Sequence, residues 1–290
     1  MSSSLDQLSE SDRRELARHH LDSAEAWLRR LINYQLSKAF GPGYFSATFP
    51  DDGTPVIPKR IRKAAEKKQV DEPQRFARPV DATTFGDAIK VVVNERLYPP
   101  YFRTALEPAY PQGAPVARTF LKRLAAHRNK VQHGGNLSVR ALEQCICYSN
   151  DLVDSIKAFF VEENVSRQFN VPMFVRVTDS LGNEHHFPPP AEGETRFLDF
   201  RGGAAGNLYP GDTLTIEVEV DQSFAGFQVR WLTFSGDRGE GATMKLAITN
   251  KHVGELLDVR FEVISAEPWH RLNRGIDDIV DLRYRVLPPR

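Results

Sequence analysis

The chain has 290 residues, and 38 Lys and Arg balance 38 Asp and Glu. That length points to two domains, and a content of 41% hydrophobic and 26% charged residues fits a folded globular protein. Zero net charge argues against a strong, general nucleic-acid binder. No apolar run reaches the roughly 18 residues that a membrane-spanning helix needs. The start, Met-Ser-Ser-Ser-Leu-Asp-Gln, has no basic segment followed by an apolar one, so no signal peptide is visible. Cys145 and Cys147 form no disulfide framework and read as small buried hydrophobes. A reducing, cytoplasmic setting is expected.

Residues 1–165 read as all helical and residues 166–290 as all β. After a polar lead-in, Leu16, Ala24, Trp27, Leu28, Leu31 and Phe40 recur at helical spacing, which predicts a helix from Ser11 to about Phe40, stopped by Gly41-Pro42-Gly43. Residues 44–57 read as a loop. The stretch from Pro58 to Lys68 carries six basic residues and one acidic residue. It is either a phosphate-contacting helix, through Lys59, Arg60, Arg62 and Lys63, or a solvated helix face. Thr83 or Thr84 can cap a helix through Phe85, Ala88, Ile89, Val92 and Val93 to about Leu97. A Pro-rich connection with Tyr98, Tyr101, Phe102 and Tyr110 follows; these aromatics can stack on unpaired bases or simply pack.

From about Ala114, Val116, Ala117, Phe120, Leu121 and Leu124 mark an amphipathic helix running to His133. At about 100° per residue, Ala117, Leu121, Leu124 and Arg128 lie within roughly 40° of one line. Arg128 therefore leaves the apolar face and must find an anion or several acceptors. His133 lies about 140° further round, and Asn129, four residues before it, can face its ring. Gly134-Gly135 supplies a helix stop. A histidine here, at the negative end of a helix dipole, is suited to proton transfer near neutral pH. A purely structural reading stays open, with Arg128 in an ion pair and His133 as a C-cap.

Ser138 can cap a last helix, on which Leu142, Cys145, Ile146, Leu152, Val153, Ile156, Phe159 and Phe160 form an apolar stripe. It could complete a bundle of four or five helices or serve dimerisation. Beyond Val165 the pattern changes to period two. Strands are predicted near Met173–Thr178, Glu184–Phe187, Thr195–Phe200, Thr213–Val220, Gly226–Phe234, Thr243–Thr249, Leu256–Ile264 and Ile279–Val286. Many strands at short spacing suggest a β-sandwich. Trp231, in Gln228-Val-Arg-Trp-Leu, looks like the inter-sheet tryptophan of immunoglobulin-like folds, polycystic-kidney-disease-type modules included.

The run Arg128-Asn129-Lys130-Val131-Gln132-His133 resembles the Arg-x(4–6)-His motif of the HEPN superfamily (higher eukaryote and prokaryote nucleotide-binding domains). Phe85-Gly86-Asp87 is similar to a Phe-Gly-Asp-like step of the branch fused to a yeast nuclear RNA-surveillance endonuclease. The resemblance covers roughly residues 20–160. It implies a HEPN-like bundle, RNA as partner, a homodimer that brings two motifs together, and a metal-independent endoribonuclease without cofactor. It also implies a defence or toxin role, with the β-domain docking a partner or ligand. On this reading Arg128, Asn129 and His133 are catalytic, and Lys59, Arg60, Arg62, Lys63 and Lys130 contact RNA. A mildly basic first half, with 24 Lys and Arg against 20 Asp and Glu in residues 1–165, fits local RNA contact. The alternative is a non-catalytic module in which the helices bind RNA or a nucleotide, or dimerise.

Other candidates carry less. His185-His186 are adjacent on a strand and face opposite ways, so joint metal binding is not expected. Arg201-Gly-Gly-Ala-Ala-Gly206 precedes a strand rather than a helix and reads as a turn. Trp269-His270-Arg271 with Asp277-Asp278 is either a ligand patch or a loop packed on the β-domain. No metal-ligand spacing, phosphate loop or nucleophile elbow is found.

Overall fold

The fold was obtained as a computed structural model; it describes residues 4–73, 75–187, 195–203 and 207–289. The chain divides into two compact units, Met1–Asn164 and Val165–Arg290.

The first unit is helical. Its long helix, α1 (Glu10–Phe40), is capped by Ser9, whose hydroxyl accepts from the Asp12 amide at 3.2 Å, and ends at Gly41 with φ of 80°. Ala17, Leu21, Ala24, Leu28 and Leu31 recur every three or four residues and are all fully buried. This face packs on α6 (Val139–Glu162), which Ser138 caps. Trp27 of α1 meets Phe160 of α6 at 6.0 Å between ring centroids, and Tyr34 stands edge-on to Phe160 at 5.4 Å. Two rings and a line of leucines make this the seam with most apolar area to lose, at roughly 1.5–3 kcal/mol per buried side chain.

Shorter elements fill the space beside that seam. Helix α2 (Lys59–Asp71) buries only Ile61 and Ala65. Helix α3 (Phe85–Val92) starts at Thr84, whose hydroxyl accepts from the Asp87 amide. It stops five residues before the expected Leu97. The Asn94 side chain accepts from the Arg96 amide, a turn that competes with the helix. The Pro-rich connection is not a loop: Tyr98–Phe102 form one wide helical turn leading into α4 (Arg103–Leu106). Pro99 and Pro100 fall at its start, where a missing N–H is tolerated. Tyr98, Phe102 and Tyr110 are buried and Tyr101 packs edge-on against Phe40, so these aromatics pack within the unit. Helix α5 is Ala114–Gln132.

The second unit opens with a single turn, α7 (Ser166–Phe169), and its described residues continue as ten strands in two sheets. They are β1 (Phe174–Asp179), β2 (Glu184–His186), β3 (Arg196–Asp199), β4 (Asn207–Leu208), β5 (Thr213–Val220), β6 (Phe227–Thr233), β7 (Arg238–Glu240), β8 (Thr243–Ala247), β9 (Gly254–Ser265) and β10 (Asp278–Val286). One sheet has the order β2-β1-β5-β8 and the other β3-β10-β9-β6-β7, with β4 also pairing β10. Strands β3 and β4 run parallel to β10; the other pairs are antiparallel. Leu214, Ile216, Val218 and Val220 alternate inward along β5, as period two requires. They share one core with Val259, Phe261 and Val263 of β9 and Val280, Leu282 and Tyr284 of β10.

Two expectations change here. The predicted strands leave out β4 and β7, which have two and three residues and too little pattern to read. Trp231 is half-buried on β6, one strand from the edge, while Tyr284, Phe261 and Phe174 hold the centre. It packs against the core the two sheets share, and its indole also lies over Gly239 of β7, where a Cβ would come within 2.4 Å of the ring. Of the turn read at 201–206, residues 201–203 do turn, and 204–206 lie outside the described residues.

Of the Trp269–Asp278 segment, Arg271, Ile276, Asp277 and Asp278 pack into the unit, while Trp269 stays exposed. Asp278 is fully buried; its carboxylate accepts from the Phe174 amide at 2.9 Å, from Arg196 at 2.8 Å and from Arg271 at 2.7 Å. Asp277, also fully buried, accepts from the Ser265 amide and pairs with His270 at 3.2 Å. Asp237 ties the β6–β7 turn to the segment before β9 through Thr233, Ser235, Lys251 and His252. Burial works against its charge, yet these four donors hold its carboxyl well below the ordinary 3.8. A depressed carboxyl stabilises the fold above its unfolded value and loses that contribution as pH falls through it. The second unit is therefore expected to lose stability below about pH 4. In urea titrations between pH 7 and pH 3, Asp237→Asn should be less stable at pH 7 and show a flatter acid limb.

Candidate functional site at the end of helix α5

Helix α5 ends as its sequence dictates. Gly134 has φ of 71°, its N–H reaches Val131 O at 3.3 Å, and Gly135 N–H reaches Lys130 O at 2.9 Å. These two bonds make a Schellman stop, with His133 as the last half-helical residue. The stop is crowded: a Cβ on Gly135 would sit 2.8 Å from Lys130 Cγ. Arg14 of α1 donates to Gly134 O at 3.3 Å, fixing the turn to the long helix.

Arg128 continues the buried line of Ala117, Leu121 and Leu124, and the anion it needs is Glu25 of α1. The Glu25 side chain is 3% exposed and lies 2.5 Å from Arg128 Nε. Its other oxygen takes Arg29, which also donates to the Thr83 carbonyl. Arg128 Nη1 donates to Gln132 at 2.7 Å. Nη2 meets no acceptor among the described residues, and the side chain keeps 21% exposure. One edge of the guanidinium is thus committed to the fold and one end is open. Sequence reading missed Glu25. Its signal was a carboxylate set among Leu21, Ala24 and Leu28, inside the apolar stripe of α1.

Asn129, Lys130 and His133 are exposed. His133 and Asn129 side chains bond no described residue, whereas His127, earlier on the same helix, is taken by Gln144 at 3.0 Å. The structure brings Asn129 and His133 to one face and sends Arg128 to another, about 100–140° away. On α2, Lys59, Arg60 and Lys63 are exposed, and Arg62 is half-buried, 3.9 Å from Glu66. Arg60 lies close enough to Asp87 to help hold that carboxyl below its ordinary value, against burial and behind Lys90 and Thr84. None of the four bonds the end of α5.

Between α3 and α5 runs an open groove of about 620 Å³. Ile89, Val93 and Ala125 form its apolar wall, and Lys90, Arg118 and Lys122 stand on its sides. Gly86, of the Phe85-Gly86-Asp87 step, contributes only backbone; a Cβ there would meet nothing nearer than 4.0 Å. Lys90 pairs with Asp87 and Arg118 donates to Val93 O at 3.1 Å, while Lys122 is exposed with no described partner. Arg118, Lys122, Ala125 and Asn129 follow at i, i+4, i+7 and i+11, a helical stripe that sequence reading passed over for the apolar one.

Among the described residues no three His, Cys, Asp or Glu side chains gather as a metal set, and no helix is long and apolar enough to cross a membrane. His186 pairs with Glu184 at 2.9 Å and His185 packs on Phe187, each occupied separately. Cys145 is buried as expected, but Cys147 is exposed on the far side of α6. Comparison with known proteins gave no match to any family model, curated sequence or solved structure.

Two stability changes test this geometry. Arg128→Ala leaves Glu25 buried with Arg29 alone and should cost about 1–3 kcal/mol, with a coupling of at least about 1 kcal/mol in the double-mutant cycle with Glu25→Gln. Gly134→Ala puts a Cβ at a left-handed position and should cost about 1–2 kcal/mol. Denaturant melts of the purified variants read both values.

Proposed function

We propose that the chain is a metal-independent endoribonuclease of HEPN type, with an immunoglobulin-like second unit that docks a partner or ligand. The observation carrying this reading is His133: an exposed imidazole with no bonded partner among the described residues, beside Asn129, at a turn fixed by two glycines and by Arg14. RNA supplies its own nucleophile. The 2′-hydroxyl attacks the adjacent phosphorus, the P–O5′ bond breaks, and a proton moves from the 2′-oxygen to the leaving 5′-oxygen. The products are a 2′,3′-cyclic phosphate and a 5′-hydroxyl. His133 serves as general acid or base, a role typically worth about 10²–10⁴-fold, and Asn129 orients its ring or holds a phosphate oxygen. Arg128, positioned by Glu25 and Gln132, offers its open Nη2 end to the phosphate.

Because Arg128 and His133 diverge on one helix, a complete site takes groups from two copies. A symmetric dimer with facing motifs supplies both a second histidine and a guanidinium on the right side. RNA cleavage in EDTA, with product ends mapped, is expected for the wild-type dimer and lost in His133→Ala with fold and dimer intact. Equal cutting by both proteins would sink the assignment.

The engagement of Arg128 by a buried carboxylate favours a second reading: a non-catalytic helical module in which the motif is structural. That reading predicts that His133→Ala changes no activity while Arg128→Ala changes only stability.

A further inference from the structure

We infer that the groove between α3 and α5 is the seat for one nucleotide of a single-stranded RNA whose chain continues along α5 to His133. This rests on the ribonuclease reading for what happens at His133, but the binding claim stands on the groove itself. Its volume, about 620 Å³, falls in the range of pockets that hold small organic ligands. Its floor is apolar, Ile89, Val93 and Ala125, as a base face requires.

Charge along the rim fits a phosphodiester. Lys122 is a cation with no described partner, and Arg118 spends one donor on a neutral carbonyl. The other lining cations are satisfied within the unit: Lys90 by Asp87, and Arg96 by Asp51 and Asp52. Glu95, also on the lining, leaves the rim only mildly positive, which suits a single phosphate rather than a polyanion clamp. Gly86 keeps the floor low at the end where Ala125 leads to Asn129.

The stripe on α5 sets the path. Arg118, Lys122, Ala125 and Asn129 lie within roughly 60° of one line, and His133 falls about 20° from Lys122. Eleven residues separate Lys122 from His133, about 16 Å of helix, or some five nucleotides at a stacked repeat of ~3.4 Å. A strand on this path passes Asn129 and reaches His133 without crossing the helix. Lys59, Arg60, Arg62 and Lys63 are not needed for it.

The test is binding of a fluorescent twelve-residue oligouridylate to full-length protein in the His133→Ala background, from 50 to 200 mM salt. Lys122→Glu is expected to weaken binding about tenfold and to lower the slope of log affinity against log salt by about 0.7. Gly86→Leu, which fills the groove without adding charge, should weaken binding by a similar factor. Lys245→Glu makes the same charge change on an exposed position of β8 and should bind like the parent. Thermal melts confirm that the variants fold. The inference is overturned if the parent does not bind, if both groove variants bind like the parent, or if Lys245→Glu matches Lys122→Glu. If the groove variants lose binding while wild type never cuts RNA, the groove stands and the ribonuclease reading falls. If wild type cuts and the groove variants bind normally, the reverse holds.

Discussion

Glu25 organises the helical unit. A carboxylate 2% exposed in the middle of a long helix must be paired or lose its charge. Arg29 matches it from one turn along and reaches the carbonyl of Thr83, beside the Thr84 cap of α3. Arg128 matches it from α5. One buried anion therefore fixes the register of α5 against α1 and the entry to α3. The apolar faces of these helices would pack at several rotations and shifts; the charge permits one.

That constraint sets what the end of α5 can present. With Arg128 turned inward, Asn129 and His133 are turned out by helical period alone. The Schellman turn then halts the chain before His133 can be drawn round a further turn, and Arg14 holds the turn in place. The backbone that carries this exposed imidazole is thereby held in place at the end of α5. The β unit solves a similar problem differently: Asp278 collects Arg196, Arg271 and the Phe174 amide, so that one anion joins β1, β3, β10 and the preceding loop.

Much of this was legible in the residues. Apolar spacing gave α1, α5 and α6 to within a residue or two, because long amphipathic helices repeat their signal over many turns. Thr213–Val220 alternates so cleanly that β5 was read with its observed ends. The short elements were not legible. Strands β4 and β7 pair with long neighbours and need no pattern of their own, and the Tyr98–Leu106 turns form around prolines that usually signal loop. At the site, the line through Ala117, Leu121 and Leu124 announced that Arg128 needed an anion. It did not say which, since Glu25 lies 103 positions away in sequence and only the packing of α1 on α5 brings it close. The groove lay hidden for the same reason: half of its wall belongs to another helix.

The pairing of Arg128 with Glu25 bears on how variants of this chain should be compared. An arginine required to neutralise a buried anion persists whether or not RNA is ever cut, so its presence carries little information about chemistry. Its loss would be equally ambiguous, because a collapsed fold and an empty active site both read as inactivity. His133 has no such second employment among the described residues. Under the proposed ribonuclease reading, a copy that keeps Arg128 and Glu25 but has drifted at His133 would be a scaffold without the reaction, and that pattern, rather than the motif as a whole, separates the two.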